Sequence, residues 1–256
     1  MIIGVIKMNV QNERFSEWNG YKRVDFEFDG RACRVIFPKE EKKNGKWLIK
    51  TEYADAFPAF EIAMLERGYH LTFISNITRW MVPSDIDAKA KFAKLLAEKY
   101  GLASKCVPVG MSCGGLQAVY FAAKYPEMIA ALYLDAPVMN LLSCPCHIFS
   151  KPIESTASMT EEFVNATGIS LTELINYRNH PIDVAPALAE NKLPLILVSG
   201  DSDTVVPYNE NGEHLAALYE KAGAPIEVYI KPGCNHHPHG LPDNTPIINF
   251  VEKWYK

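Results

Sequence analysis

Gly110-Met111-Ser112-Cys113-Gly114 sets a serine between two glycines, one on each side at a distance of two residues. A serine hydroxyl becomes a nucleophile when a neighbouring base takes its proton and a third group orients that base. Candidates for both partners follow along the chain. Gly200-Asp201-Ser202-Asp203 offers two carboxylates, and Asp135 offers another further upstream. Gly233-Cys234-Asn235-His236-His237-Pro238-His239-Gly240 offers three imidazoles in one short run. Serine, then acid, then histidine is a recurring chain order for acyl transfer. Cys113 is a rival nucleophile, but in its register the flanking residues are Met111 and Gly115, so the leading glycine is missing. A second chemistry is open to the same C-terminal run, because Cys234, His236, His237 and His239 are all metal-ligating types. One short loop rarely supplies every ligand of a tetrahedral ion, and no distant pair completes the set.

These groups can act together only if the fold delivers them to one place. Residues 105–109 are strand-like and residues 116–124 follow a helical pattern, so Ser112 falls on a sharp strand-to-helix turn. Its backbone is expected to be strained there, with the hydroxyl held at a helix N-terminus where the dipole favours negative charge. The acid run follows a strand at 195–198, and the histidine run follows a strand at 227–230. Further strands are expected at 47–49, 70–74 and 129–134, and helices at 58–67, 85–100 and near 247–254. Strands alternating with helices imply right-handed crossovers, a parallel sheet and helices on both faces. In such sheets, ligands and chemistry belong at the carboxyl ends of the strands. Residues 21–28 and 33–37 alternate apolar and polar residues across Asp29-Gly30, which reads as an N-terminal antiparallel hairpin.

With these motifs the sequence resembles the α/β-hydrolase superfamily, in particular its bacterial, esterase-like members with a His-His-Pro-His segment near the C-terminus. The match is firm over residues 105–256 and weaker over 1–60. The resemblance implies an α/β fold, with a mostly parallel central sheet flanked by helices, over one domain at 1–256. It implies a serine hydrolase of the carboxylesterase or carbohydrate-esterase type, cleaving a small-molecule carboxylic or acetyl ester through an acyl-enzyme. It assigns Ser112 as nucleophile. Asp203 matches the acid position, which commonly closes a G-x-x-D run with Val-Pro following, while Asp201 then bonds turn amides and Asp135 reads as a strand-end turn residue. His236 matches the base in a loop often written Gly-x-Gly-His, with Asn235 in place of the second glycine and tolerating a left-handed backbone. The oxyanion hole falls to the Cys113 N–H and to a backbone N–H near Tyr53, where lipase-type relatives carry His-Gly-Gly-Gly and this chain has Lys50-Thr51-Glu52-Tyr53-Ala54-Asp55. Glu52 and His239 are candidates for the substrate pocket. Glu52 would oppose an oxyanion unless it points away or is paired, and a solvated loop carboxylate is the alternative.

Residues 140–180 interrupt the strand–helix rhythm. This length is too long for a plain loop. The segment is expected to be a lid or cap over the pocket, with Phe149, Ile153, Phe163 and Tyr177 as a possible apolar wall, or else a helix-rich crossover packed on the sheet. A metal-binding protein and a non-catalytic α/β binding module remain the alternatives to the hydrolase.

Composition narrows the rest. The chain has 256 residues, 48% hydrophobic and 22% charged, and a net charge of -4. A chain this long buries enough apolar surface to fold without disulfides or metal. The acidic balance excludes a broad basic nucleic-acid footprint and gives no reason to expect an anionic membrane as partner. No apolar run approaches the roughly 20 residues of a spanning helix. Residues 1–7 are too short for a signal-peptide core, and six cysteines lack small-domain disulfide spacing, so a cytoplasmic location with reduced thiols is expected. The glycine-rich turn lacks G-x-G-x-x-G, and no P-loop lysine is present, so no nucleotide cofactor or other cofactor is implied.

Overall fold

The computed structural model describes residues 10–256. The stretch 1–7, read above against a signal peptide, lies outside the described residues. Three antiparallel strands come first: β1 (Gln11–Trp18), β2 (Tyr21–Phe28) and β3 (Arg31–Ile36). Asn19-Gly20 and Asp29-Gly30 link them. All four residues have positive φ, between 48° and 79°, as the two-residue turns that match strand twist demand. The expected hairpin is β2–β3. Strand β1 is an addition to it. All but the last of its residues are exposed, so it has no buried face to produce an alternating signal.

The chain then alternates through β4 (Trp47–Lys50), α1 (Ala59–Glu66), β5 (His70–Ile74), α2 (Pro83–Tyr100), β6 (Val107–Met111), α3 (Cys113–Lys124) and β7 (Leu132–Asp135). Four helices follow: α4 (Thr156–Thr167), α5 (Leu171–Asn176), α6 (Pro181–Val184) and α7 (Pro186–Glu190). The fold closes with β8 (Leu195–Gly200), α8 (Gly212–Ala222), β9 (Ile226–Lys231) and α9 (Thr245–Trp254). The helix ends carry local signals. Pro83 starts α2, and Gly101 ends it in a left-handed conformation with φ 67°, as residues without a helical N–H need or a Cβ penalty do.

One nine-stranded sheet runs in the order β1-β2-β3-β5-β4-β6-β7-β8-β9. Pairing is antiparallel from β1 to β5 and parallel from β5 to β9. This is the mixed, helix-flanked sheet of the α/β-hydrolase fold. Side chains alternate between two cores. Leu195 and Leu197 of β8 join one face with Phe92 of α2, Val119 of α3 and Leu215 of α8. Ile196 and Val198 join the other with Phe60 of α1 and Phe250 of α9. The strand order reverses between β4 and β6: the chain moves outward from β4 to β5, then crosses back to place β6 on the other side of β4. A crevice opens at such a reversal, at the carboxyl ends of the two strands. Among the described residues, no helix is long and apolar enough to cross a membrane. All six cysteines are free thiols.

Candidate active site

Ser112 sits at the reversal, between the end of β6 and the start of α3. Its φ of 53° and ψ of -121° are strained for a residue with a side chain, at a cost of order 1–3 kcal/mol. Ser112 holds the N-cap position of α3, yet its side chain makes no capping bond. The hydroxyl is therefore free for chemistry. The turn is possible because Gly110 has no side chain. A Cβ there would lie 2.7 Å from the Gly114 carbonyl oxygen and 2.8 Å from the Gly115 Cα.

His236 and Asp203 arrive on the loops after β9 and β8. The His236 Nδ1 lies 2.7 Å from the Asp203 Oδ2, and both residues are buried. The other oxygen of Asp203 accepts the Val205 and Val206 backbone N–H groups, each at 2.8 Å. The carboxylate is thus held from both sides. Asp201 is used differently: its Oδ1 accepts the Gly233 N–H at 2.7 Å and the Ser202 hydroxyl at 2.9 Å, tying its own turn to the histidine loop. The left-handed backbone expected at Asn235 is found at Gly233 instead, with φ 66°. Asn235 contributes through its side chain. Its Oδ1 accepts the Thr204 N–H at 3.0 Å and the His236 N–H at 2.7 Å. This one amide fixes the acid loop against the base loop.

His239 forms a second imidazole–carboxylate pair. Its Nδ1 lies 2.8 Å from the Asp135 Oδ1. Asp135 is fully buried at the end of β7, and its Oδ2 also accepts from the Gly240 N–H at 2.6 Å and the Tyr133 hydroxyl at 2.9 Å. Reading Asp135 as a strand-end turn residue therefore understates it: it anchors the C-terminal loop from beneath. Nothing local marks this, because the partners are 104 residues apart. His237 is exposed and stacks on Phe57 at 5.3 Å. Burial and the two neighbouring imidazoles push its pKa below the usual histidine value.

Cys113 and Tyr53, the two residues expected to supply backbone donors, both line the pocket that holds Ser112. The Cys113 N–H is the first of α3 and has no partner within the helix. Tyr53, after β4, has φ 52° without being glycine. Among the described residues, neither the Cys113 nor the Tyr53 N–H donates to a backbone carbonyl. The Cys113 thiol is buried, which pushes its pKa up to about 11. It is overwhelmingly the neutral thiol near pH 7, and so a poor nucleophile. Glu52 is not in the pocket. Its Oε2 accepts from the Asn76 side chain at 2.7 Å, and Asn76 is in turn bonded by the buried Lys89. This pairing turns the Glu52 carboxylate away from the site and removes the conflict with a developing oxyanion.

Tyr53, Phe57, Arg79, Ser112, Cys113, His236, His237 and His239 share one pocket of about 310 Å³, completed mainly by Cys144, Met159 and Val205. The excursion supplies Cys144 and Met159, and none of the four aromatic and aliphatic residues expected from the sequence. Phe163 is buried in the core against Trp80, and Phe149 is 60% exposed. Met159 lies one turn before Phe163 on the same face of α4, where Phe163 packs on Trp80 and Met159 reaches the pocket. Sequence reasoning missed Arg79, Phe57 and Met159. Arg79 lies in an irregular stretch after β5 with no motif around it. It bonds Glu162 of α4 through two nitrogens, one at 2.9 Å. The only grouping of metal-ligating side chains among the described residues is His236, His237 and His239; Cys234 is not part of it.

The model of the prolyl oligopeptidase family matches residues 73–256, more than half of the chain. No curated protein matches the sequence. Among solved structures, the chain is similar to a protein from Bacteroides ovatus assigned as a dipeptidyl aminopeptidase IV, with a TM-score of 0.62 and 11% identity. The alignment covers 95% of this chain and 43% of that one, so the chain spans less than half the length of that protein.

Proposed function

The chain belongs to the prolyl oligopeptidase family, and from this premise we propose that it cleaves a peptide-type acyl bond with Ser112, His236 and Asp203. It is a serine hydrolase of the α/β-hydrolase superfamily. The observation that carries the assignment is a strained Ser112 sharing a pocket with a histidine whose far nitrogen is held by a buried carboxylate. Ser112 Oγ attacks the carbonyl carbon, and its proton passes to the His236 Nε2. The carbonyl oxygen becomes an oxyanion facing the Cys113 and Tyr53 N–H groups, as the free donors and the positive φ of Tyr53 support. Such donors are worth roughly 10²–10³ in rate. The His236 proton then leaves with the departing group, and water repeats the sequence on the acyl-enzyme. Asp203 keeps the ring in the productive tautomer.

A second reading, an ester with a small acyl group, is the expectation from sequence and draws on the pocket itself. The pocket is lined by one cation, Arg79, and among the described residues by no carboxylate. An enzyme that counts residues from a free N-terminus has to balance an ammonium, and Glu162 nearby is already engaged by Arg79. The test is a matched pair of substrates, an amide and an ester of one acyl group, each with a free and a blocked amine. Turnover of the amide supports the peptidase reading, and turnover of the ester alone supports the esterase. Ser112→Ala should lose about 10⁴-fold or more of kcat on either substrate. Retention of the wild-type rate in that variant rejects both readings.

A further inference from the structure

We propose that His236, His237 and His239 form a binding site for a first-row divalent cation, Zn²⁺ above all, and that occupancy switches the hydrolase off. The three imidazoles offer ligand atoms within 4.8 Å of one another. Their ring centroids form a nearly equilateral triangle, with sides of 4.8, 4.9 and 5.0 Å. Nitrogens around a tetrahedral zinc lie about 3.4 Å apart, given Zn–N bonds near 2.1 Å. The rings therefore have to close by an ångström or so. His237 can supply that movement, because it is exposed and among the described residues no hydrogen bond holds its ring.

The other two rings are already oriented as metal-bound histidines usually are. The Nδ1 of His236 is committed to Asp203 and the Nδ1 of His239 to Asp135. A carboxylate on one ring nitrogen fixes the tautomer that leaves the lone pair on the other, and it raises ligand basicity. Each Nε2 is therefore the free donor. Three neutral imidazoles select zinc, copper, nickel or cobalt over calcium or magnesium, which prefer oxygen. Three ligands also leave one coordination position open toward the pocket.

Binding and catalysis compete for one lone pair. The His236 Nε2 that holds the cation cannot take the Ser112 proton, so no acyl-enzyme forms until the ion leaves. No bond in the protein is made or broken beyond the reversible coordination. Only the inhibitory consequence rests on the proposed triad; the binding itself does not.

The experiment separates the two. Titration calorimetry of Ser112→Ala with ZnCl₂ should show one site per chain, and adding His237→Ala should weaken it roughly tenfold or more, since even outer-shell losses at metal sites reach that range. With wild-type protein, zinc should suppress turnover and EDTA should restore it. His237→Ala should need roughly tenfold more zinc for half-inhibition, each protein being scaled to its own zinc-free rate. The pocket thiol supplies the control: Cys144→Ala should bind zinc as the wild type does. No zinc binding by Ser112→Ala, or affinity lost with Cys144→Ala but kept with His237→Ala, overturns the proposal. A rate that zinc raises from a metal-free zero would overturn both the inhibitory claim and the triad reading.

Discussion

Two buried aspartates, 68 positions apart, each hold a pocket histidine, and they differ in what the pairing supports. Asp203 is fixed by two turn amides and grips His236. Asp135 is fixed by a tyrosine hydroxyl and a backbone amide and grips His239. Asp203→Asn should leave the fold intact and lower kcat about 10⁴-fold, because an amide favours the wrong imidazole tautomer. Asp135→Asn should act mainly on stability. It leaves buried donors without a charged acceptor, a loss of about 1–3 kcal/mol, read as a lower urea midpoint with a smaller fall in kcat. If Asp135→Asn is inactive at full stability while Asp203→Asn stays near wild type, the roles are reversed. Asn235 is open to a similar check. Asn235→Ala removes the acceptor shared by the Thr204 and His236 N–H groups, and kcat should fall while the bulk fold persists by circular dichroism.

The excursion between β7 and β8 is tied to the rest of the fold and lends Cys144 and Met159 to the pocket lining. Phe163 of α4 meets Trp80 edge-on at 5.9 Å, an aromatic contact worth ~1 kcal/mol beyond its buried area. Glu162, beside it in the helix, pairs with Arg79 at the pocket. We propose that α4 sets substrate size through Met159. Met159→Ala should raise kcat/KM for longer acyl groups relative to short ones, measured across an ester series of graded length. An unchanged preference in a folded variant would mean that this face of α4 only packs. The elbow has the opposite tolerance. Gly110→Ala forces a Cβ to within 2.7 Å and 2.8 Å of the Gly114 and Gly115 backbone, where no flexible side chain can yield. Overpacking of this kind costs typically 1–3 kcal/mol, so that variant should lose both thermal stability and activity.

Across the whole molecule, the oxyanion-side loop rests on a buried polar network that titrates. Lys89 of α2 is fully buried and bonded to Asn76 and Gln117. Burial pulls its pKa from 10.5 down to about 7, partly offset by Asp85 and Glu52. In the unfolded chain the amine keeps its proton up to the higher value. Unfolding therefore takes up a proton between pH 7 and 10.5, and this group makes stability rise with pH across that window. The half-buried Tyr100 and the buried Cys106, whose pKa values desolvation raises, pull the other way near its upper end. The readout is thus the difference between wild type and Lys89→Met. From pH 7 to pH 9 the urea midpoint of the wild type should rise relative to the variant, and parallel curves would mean that Lys89 keeps its charge in the fold.

What could be read from the sequence was local. The glycines around Ser112, the Asp-Gly turn of the hairpin and the apolar runs of the parallel strands each act within a few residues, so spacing alone exposes them. The order of Ser112, Asp203 and His236 was legible for the same reason, since each follows its own strand. Strand β1 escaped because neither of its faces is buried. Other features arose only when distant segments met. Tyr53 takes a left-handed backbone with no glycine to announce it. Glu52 turns toward Asn76, 24 residues away, and Arg79 finds Glu162, 83 residues away. Of the three histidines in one loop, His236 meets the buried Asp203 and His239 the buried Asp135, contacts that only the tertiary structure decided. A sequence shows which groups a loop carries; which of them a buried charge can hold depends on where the sheet ends.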